Sequence, residues 1–202
     1  MNKITYVTGN YGKYISVKEK FERYGMDIDF ANIDIDEPDI NDIEIISKEK
    51  ARIAYEQIKS PVFVIDCGFY IRSYPNKPNY PGAFVKRSGV SSDIKKLLDD
   101  MKDVEDRYCY FLDCLTYYDG DNYYHFYGKS EGFIGYESKG LELKNAKSNL
   151  WYVFIPMNCS KTLAEMNDDE RNNRDDGRTD AVFEFYNWLK NNMTKQLIKK
   201  IN

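Results

Sequence analysis

The sequence contains one histidine and four cysteines among its 202 residues, and this scarcity excludes several kinds of site. With His125 alone, serine-type triads and histidine-rich zinc sites are almost excluded. The cysteines lack the spacing of metal ligands, and we expect buried thiols at Cys67, Cys109, Cys114 and Cys159. Hydrolytic chemistry in this chain would therefore use carboxylates, lysines and a hard cation such as Mg²⁺.

Long apolar runs and an excess of positive charge are also missing. No stretch approaches the length of a membrane span, and Met1-Asn2-Lys3 leads into a predicted strand rather than a signal peptide. We therefore expect a cytoplasmic protein with no membrane partner. The formal net charge of −4 argues against a duplex nucleic-acid ligand, because affinity for a duplex depends on phosphate neutralisation. A small anion in a local pocket is compatible with this charge.

Hydrophobic periodicity predicts a soluble α/β fold in residues 1–202. Strands are predicted at 3–8, 30–35, 61–65, 108–118, 123–133 and 151–155, and helices at 12–24, 44–59, 91–101 and 179–191. The turn at 119–121 is typical of a hairpin. Early alternation of strand and helix, followed by a hairpin, indicates a mixed sheet. The length fits one domain, or one domain with two lobes.

The segment Tyr6–Lys13 carries the strongest local signal for a ligand. An apolar strand runs into Thr8-Gly9-Asn10, and a helical pattern follows with Lys13 in its first turn. Free N–H groups and the positive end of the helix dipole would point at any group in the turn, most commonly a phosphate. An ordinary strand-to-helix turn is the alternative, and this segment alone does not decide between the two.

Acidic residues follow two of the predicted strands. Asp66 comes directly after the buried strand 61–65, where open α/β sheets place ligands. It is a candidate base or metal ligand, and a loop cap is the alternative. The acidic loop around Glu37 is either a solvated turn or the source of a second carboxylate. Two carboxylates at adjacent strand ends would hold Mg²⁺ beside a phosphate chain.

Positively charged residues come from several separate segments. Lys50 lies in the second predicted helix, Lys86 follows a Pro-Gly pair, and Arg171, Arg174 and Arg178 cluster in a late polar stretch. Most lysines in proteins are merely solvated. A triphosphate, however, needs several cations that converge from different parts of the chain.

These segments form an ordered set of motifs across nearly the whole chain. In order, they are Thr8-Gly9-Asn10-Tyr11-Gly12-Lys13, Lys50-Ala51, Ile65-Asp66-Cys67-Gly68-Phe69, Pro81-Gly82-Ala83-Phe84-Val85-Lys86, Glu131-Gly132-Phe133-Ile134, Lys161-Thr162-Leu163-Ala164-Glu165-Met166 and Glu170-Arg171-Asn172. The set resembles the inosine/xanthosine triphosphate pyrophosphatase family of nucleotide-pool sanitising enzymes. Each motif alone would be weak, and their order makes the resemblance specific.

The resemblance implies a fold and an activity. The fold would be an elongated two-lobed α/β structure, with a long mixed sheet flanked by helices and an active-site cleft between the lobes. The activity would be Mg²⁺-dependent hydrolysis of a nucleoside triphosphate, of inosine/xanthosine type or with another modified purine, to monophosphate and pyrophosphate. The resemblance also implies a homodimer.

Site residues follow from the resemblance position by position. Residues Thr8 to Lys13 would hold the phosphates, and Lys50 and Lys86 would neutralise the phosphate chain. The substrate-binding set also includes Cys67, Arg171 and Arg178. Glu37 and Asp66 would be metal ligands, and Asp66 would in addition orient or deprotonate the attacking water.

The chain departs from the family pattern in three places. Ile65 replaces the first of two adjacent acids, Ser148-Asn149-Leu150-Trp151 stands where Phe-Gly-Tyr-Asp is expected, and Asp176-Gly177-Arg178 replaces Ser-His-Arg. The phosphate end is therefore kept better than the base end. An altered base preference is one explanation. A catalytically weak nucleotide-binding or regulatory protein is the second, and a structural dimerisation module is a third.

Overall fold

Strands and helices alternate through the first half of the chain, as the sequence predicts. The computed structural model describes residues 4–144 and 146–201. Its elements in chain order are β1 (Ile4–Val7), α1 (Tyr11–Arg23), β2 (Ile28–Ala31), α2 (Ile43–Ile58), β3 (Val62–Ile71), β4 (Tyr80–Gly82), α3 (Val85–Ser88), α4 (Ile94–Asp100), β5 (Tyr108–Tyr118), β6 (Tyr123–Ile134), a 3₁₀ helix (Asn149–Tyr152), β7 (Phe154–Pro156), α5 (Asp168–Asn173) and α6 (Ala181–Ile201). Within these ranges no helix is both long and apolar enough to span a membrane.

The seven strands of the described residues form one mixed sheet. Six of them follow the order β2-β1-β3-β5-β6-β7, and β4 pairs with β3 off this path. Strand β1 is parallel to β2 and β3, whereas β4 is antiparallel to β3 and β7 is antiparallel to β6. The predicted α/β class with a mixed sheet is confirmed.

The chain folds into two compact units. Unit 1 comprises Met1–Asp66, Asp113–Gly128 and Asp180–Asn202, and unit 2 comprises Cys67–Leu112 and Lys129–Thr179. Strands β3, β5 and β6 each contribute residues to both units. The predicted arrangement of lobes around a cleft stays a prediction.

The strands of unit 1 bury side chains on both of their faces. Since successive side chains of a strand alternate in direction, each strand supplies two hydrophobic layers. The layer packed with α1 and α6 includes Tyr6, Phe63 and Leu115, and the layer packed with α2 includes Val7, Val62 and Val64. Ile65 packs against the first layer. Its neighbour Asp66 therefore belongs to the side of the strand that faces α2.

Unit 2 has a separate hydrophobic core. Phe69 on β3 is fully buried and packs against Phe111 of β5 and Phe154 of β7. Arg107 is a buried charged residue of this unit. Its guanidinium donates hydrogen bonds to the carbonyl oxygens of Met101, Ile134 and Gly135. A buried cation is tolerated only when its donors are satisfied in this way.

Strand β3 corrects one prediction about Asp66. The strand was expected to end there, but it continues to Ile71 and pairs with β4 from Phe69 onward. Gly68 does not end the strand. Instead, it accommodates the ring of Tyr70, because a Cβ at position 68 would lie 2.6 Å from Tyr70 Cε2. Asp66 is therefore a mid-strand residue rather than a residue at the strand's end.

Several predicted boundaries also change. The helix expected from residue 91 begins at Ile94, because Asp93 rather than a serine is its N-cap and accepts a hydrogen bond from Lys96 N. The strand expected at 151–155 divides into the 3₁₀ helix and the short β7. Helix α5 was not predicted, although Asn167 and Glu170 form a capping box at its start. The hairpin strands β5 and β6 are confirmed.

Gly140 supplies a test of packing in unit 2. Its φ is +71°, and a Cβ there would stand 2.4 Å from the carbonyl carbon of Ala164. We expect Gly140→Ala to lower the free energy of unfolding by about 3 kcal/mol, because left-handed strain and overpacking each cost roughly 1–3 kcal/mol. Urea unfolding followed by circular dichroism measures this loss.

Gly177→Ala is the matched control. Its φ is +69°, but no atom lies within 4 Å of the added Cβ. It should lose only the backbone term of about 1–2 kcal/mol. Equal losses in the two variants would contradict the packing argument.

Candidate active site

The turn between β1 and α1 has the geometry of an anion site. Thr8 Oγ1 accepts a hydrogen bond from Asn10 N at 3.1 Å, which fixes the turn. Asn10 is the N-cap of α1, and its Oδ1 accepts from Lys13 N at 3.1 Å. The N–H groups of Tyr11 and Gly12 are the other donors of the first helical turn. The strand-to-helix turn that the sequence predicts is therefore present.

An acidic side chain borders this turn. A Cβ on Gly9 would lie 3.1 Å from Asp34 Oδ1 and 3.2 Å from Asp34 Cβ. Glycine at position 9 thus lets the acidic loop that follows β2 approach the turn closely. The sequence contained no signal for this contact, since the contact depends on the parallel pairing of β1 with β2.

A lysine and two carboxylates meet on the α2 side of unit 1. Lys50 Nζ lies 2.8 Å from Glu37 Oε1 and also forms an ion pair with Asp66 Oδ1. Lys50 comes from α2, Glu37 from the loop before α2, and Asp66 from β3. Three residues predicted for the site from distant segments are therefore in direct contact.

Burial sets the protonation behaviour of this group. The Asp66 side chain is only 10% exposed, and burial raises its pKa above the usual value, although Lys50 and Lys13 act in the opposite direction. Burial also opposes the charge of Lys50, but Asp66 and Glu37 outweigh it, so that the pKa of Lys50 is raised. Lys50 therefore stays an ammonium, and Asp66 is more basic than an ordinary aspartate.

One oxygen of Asp66 is left for a ligand. Asp66 Oδ2 is buried and has no hydrogen-bond partner among the described residues. A buried carboxylate oxygen without a partner is costly, so this atom marks a place for a ligand. Carboxylate oxygens are the donors that Mg²⁺ prefers, and Glu37 and Asp66 fit that requirement. In the described ranges, however, no group of three or more His, Cys, Asp or Glu side chains is placed to hold a metal.

The replacement at position 65 has a structural role. Ile65 packs against the hydrophobic layer of α1 and α6. Neighbouring residues of a strand point to opposite faces, so the Ile65 side chain is directed away from the face that carries Asp66. Apolar packing accounts for Ile65 in this chain.

The remaining predicted site residues belong to unit 2. Lys86 lies in the short helix α3 and is exposed. Arg171 donates to the carbonyl oxygen of Leu163 at 2.9 Å, and its guanidinium stacks over the Trp151 ring at 5.4 Å. Arg178 donates to Arg174 O at 3.2 Å. Both arginines thus have acceptors within unit 2, and their contact with a substrate stays a prediction.

Internal contacts also occupy the segments that depart from the family pattern. Leu150 is fully buried in the core of unit 2. The Asp176 side chain is wholly buried and pairs with Arg174 Nε at 2.6 Å and Arg178 Nη1 at 3.3 Å. These residues stabilise the local fold of unit 2.

The expectation of buried cysteines is only partly right. Cys109 and Cys114 are buried, but Cys67 is exposed and Cys159 is half-buried, and none of the four forms a disulfide within the described residues. The prediction was wrong for Cys67, which is exposed although it lies within β3.

The chain is similar to known proteins of one family over most of its length. The Ham1 family model matches residues 4–188. The chain is 31% identical over 194 residues to a protein of Saccharolobus solfataricus named dITP/XTP pyrophosphatase. The aligned residues cover 96% of this chain and 97% of that protein. It is 32% identical to inosine triphosphate pyrophosphatase 1 of Trypanosoma cruzi, over 85% of this chain and 84% of that protein.

A solved structure shows the same fold. The HAM1 protein of Coxiella burnetii superposes with a TM-score of 0.77 at 22% identity, covering 95% of this chain and all of that chain (100%). The resemblance inferred from the motifs is confirmed by these comparisons.

Thiol labelling tests the exposure of Cys67. We expect a coloured disulfide reagent to react fast with Cys67 and slowly with Cys109 and Cys114, because thiolates are the reactive species. Burial raises the pKa of Cys114 to about 11 and that of Cys109 well above its usual range. Cys67→Ser should remove the fast phase and Cys109→Ser should leave it. A fast phase that survives in Cys67→Ser would contradict the assignment.

Proposed function

This chain belongs to the Ham1 family, and we propose on that premise that it hydrolyses a nucleoside triphosphate to the monophosphate and pyrophosphate. The names of its relatives support a purine of inosine or xanthosine type. The observation that carries the proposal is the buried carboxylate of Asp66, which keeps one oxygen without a partner in the described part of the chain. Strand β1, which leads into the anion turn, pairs directly with the strand that carries Asp66.

In this proposal the residues from Thr8 to Lys13 hold the phosphates. The helix dipole and the N–H groups of Tyr11 and Gly12 attract the negative charge, and Lys13 adds a formal charge. The capped geometry of Asn10 is fixed by a hydrogen bond within the chain, from Lys13 N to Asn10 Oδ1. Such a prearranged set of donors stabilises charge without reorganisation during the reaction.

Asp66 orients the attacking water and accepts its proton. Its raised pKa makes it a better base than an ordinary aspartate, and its place in the middle of β3 fixes the position of its backbone. Phosphoryl transfer depends on positioning and charge neutralisation rather than on covalent chemistry. One aligned base and several cations are therefore a sufficient set.

Glu37 and Asp66 would hold Mg²⁺ together with phosphate oxygens of the substrate. When bound, the cation would neutralise the charge that develops on the phosphates. Cys67, Lys86, Arg171 and Arg178 are proposed to complete the substrate contacts, with Lys86 as an exposed cation. We also propose that the protein is cytoplasmic and acts as a homodimer.

The same fold would also suit a protein that binds nucleotides with little turnover. Ile65 is the observation that favours this second candidate, because an apolar residue stands where the family has an acid. The two candidates share a triphosphate ligand and differ only in turnover.

A substrate panel tests the enzyme. With Mg²⁺ present, we expect pyrophosphate release from ITP, XTP or dITP, and we expect Asp66→Asn to lower kcat by about 10²–10⁴-fold, since the amide accepts no proton. Glu44→Gln is the control. Glu44 is an exposed carboxylate of α2, the helix that carries Lys50, and it accepts a hydrogen bond from the hydroxyl of Tyr127. Full turnover in Asp66→Asn would contradict the role of Asp66. Stabilisation by nucleotide without any pyrophosphate release would favour the second candidate.

The phosphate turn is tested separately through its cap. Asparagine and aspartate cap helices about equally well, so Asn10→Asp should leave the free energy of unfolding within about 0.5 kcal/mol of the wild type. The added negative charge should raise KM for the triphosphate by about tenfold or more through repulsion of the phosphates. Asn10→Ser, a neutral cap, should raise KM less. Equal KM values for the two variants would exclude phosphate binding at this turn.

A further inference from the structure

We propose that Lys50 is an exchangeable internal cation, which keeps divalent metal out of the Glu37–Asp66 site until a triphosphate binds. The inference rests on the proposed function and assigns Lys50 a role in ordering the ligands. Metal would then enter together with the triphosphate rather than before it.

The geometry places Lys50 on one oxygen of each carboxylate that would hold the metal. Its ammonium lies 2.8 Å from Glu37 Oε1 and forms an ion pair with Asp66 Oδ1. The carboxylates of Glu37 and Asp66 are the proposed metal ligands of the site. A divalent cation that took the same oxygens would meet an ammonium at contact distance, and the repulsion between them would oppose its binding.

The net charge of Glu37, Asp66 and Lys50 gives a divalent cation only a weak attraction. Two carboxylates and one ammonium leave a net charge of −1 on Glu37, Asp66 and Lys50. Mg²⁺ gives up its water reluctantly and is usually held by one or two carboxylates together with substrate phosphates. Within the described residues no third acidic ligand joins the pair. The free protein is therefore a poor binder of metal alone.

A triphosphate changes both conditions. Its oxygens are alternative acceptors for Lys50, whose ammonium sits on a flexible four-carbon stem. Once Lys50 turns to the phosphates, its ammonium no longer opposes a cation at Glu37 and Asp66, and Asp66 Oδ2 is an additional oxygen without a partner in the described chain. The phosphates then supply further ligands. Metal and triphosphate should accordingly bind with positive coupling, each tightening the other.

Binding of Mn²⁺ alone, measured by the paramagnetic resonance of free Mn²⁺, tests the competition without turnover. Lys50→Gln should bind Mn²⁺ at least about tenfold more tightly than the wild type. Lys48→Gln, which removes an exposed lysine of the same helix, should match the wild type. Adding Glu37→Gln to Lys50→Gln should abolish the gain. Equal Mn²⁺ affinity in the wild type and Lys50→Gln would overturn the proposal.

A second measurement on the wild type covers the case in which Lys50→Gln does not fold. Water proton relaxation reports Mn²⁺ bound to the protein with and without inorganic tripolyphosphate. We expect protein-bound Mn²⁺ to form at least about tenfold more readily with tripolyphosphate present. Equal binding in the two conditions would overturn the proposal. A protein that releases pyrophosphate but shows equal binding would retain the proposed function and lose this inference, whereas coupled binding without turnover would do the reverse.

Discussion

The ammonium of Lys50 makes it possible to bury an aspartate inside unit 1. An isolated carboxylate on the α2 face of β3 would be neutralised or would destabilise the fold, because burial costs an unpaired charge several kcal/mol. Lys50 offsets this cost for Asp66 Oδ1 and binds Glu37 with the same group. The remaining oxygen, Asp66 Oδ2, is buried without that compensation. The burial of the Asp66 carboxylate at the candidate site thus depends on Lys50 of α2.

The alternation of β3 explains how this site coexists with a hydrophobic core. Phe63 and Ile65 face the layer of α1 and α6, and Val64 and Asp66 face α2. A polar group at 66 therefore costs nothing to the aromatic core around Phe63, where the Tyr6 and Phe63 rings stack with centroids 4.8 Å apart. The same alternation makes Ile65 a core residue. An acid at 65 would stand in an apolar layer unless the local backbone differed.

Much of the fold could be predicted because its signals are local. The strands at 108–118 and 123–133, the turn at 119–121 and the strand-to-helix turn at Thr8-Gly9-Asn10 each depend on signals within a few residues of chain, and the structure confirms them. The assignment of residues 37, 50 and 66 to one site came from motif order, and the ion pairs of Lys50 with the two carboxylates were not predicted. The extension of β3 past Gly68 was not predicted, because it depends on the packing of the Tyr70 ring and on the pairing with β4 rather than on the apolar pattern of the strand.

The segments that depart from the family pattern are held by contacts within unit 2, and these contacts bear on specificity. A side chain that reads a base needs donors or acceptors left over after folding. The carboxylate of Asp176 pairs with both Arg174 and Arg178. The Arg171 guanidinium donates to Leu163 O and stacks over the ring of Trp151. Leu150 is buried in the core of unit 2. Polar groups satisfied inside unit 2 offer few hydrogen bonds to a particular base. Discrimination built from such residues would rest on shape and stacking, which separate bases that differ by one polar substituent less sharply than a dedicated hydrogen bond does. The phosphate turn keeps its donors directed outward, so in this chain the triphosphate, more than the base, is the feature that the retained residues are suited to recognise.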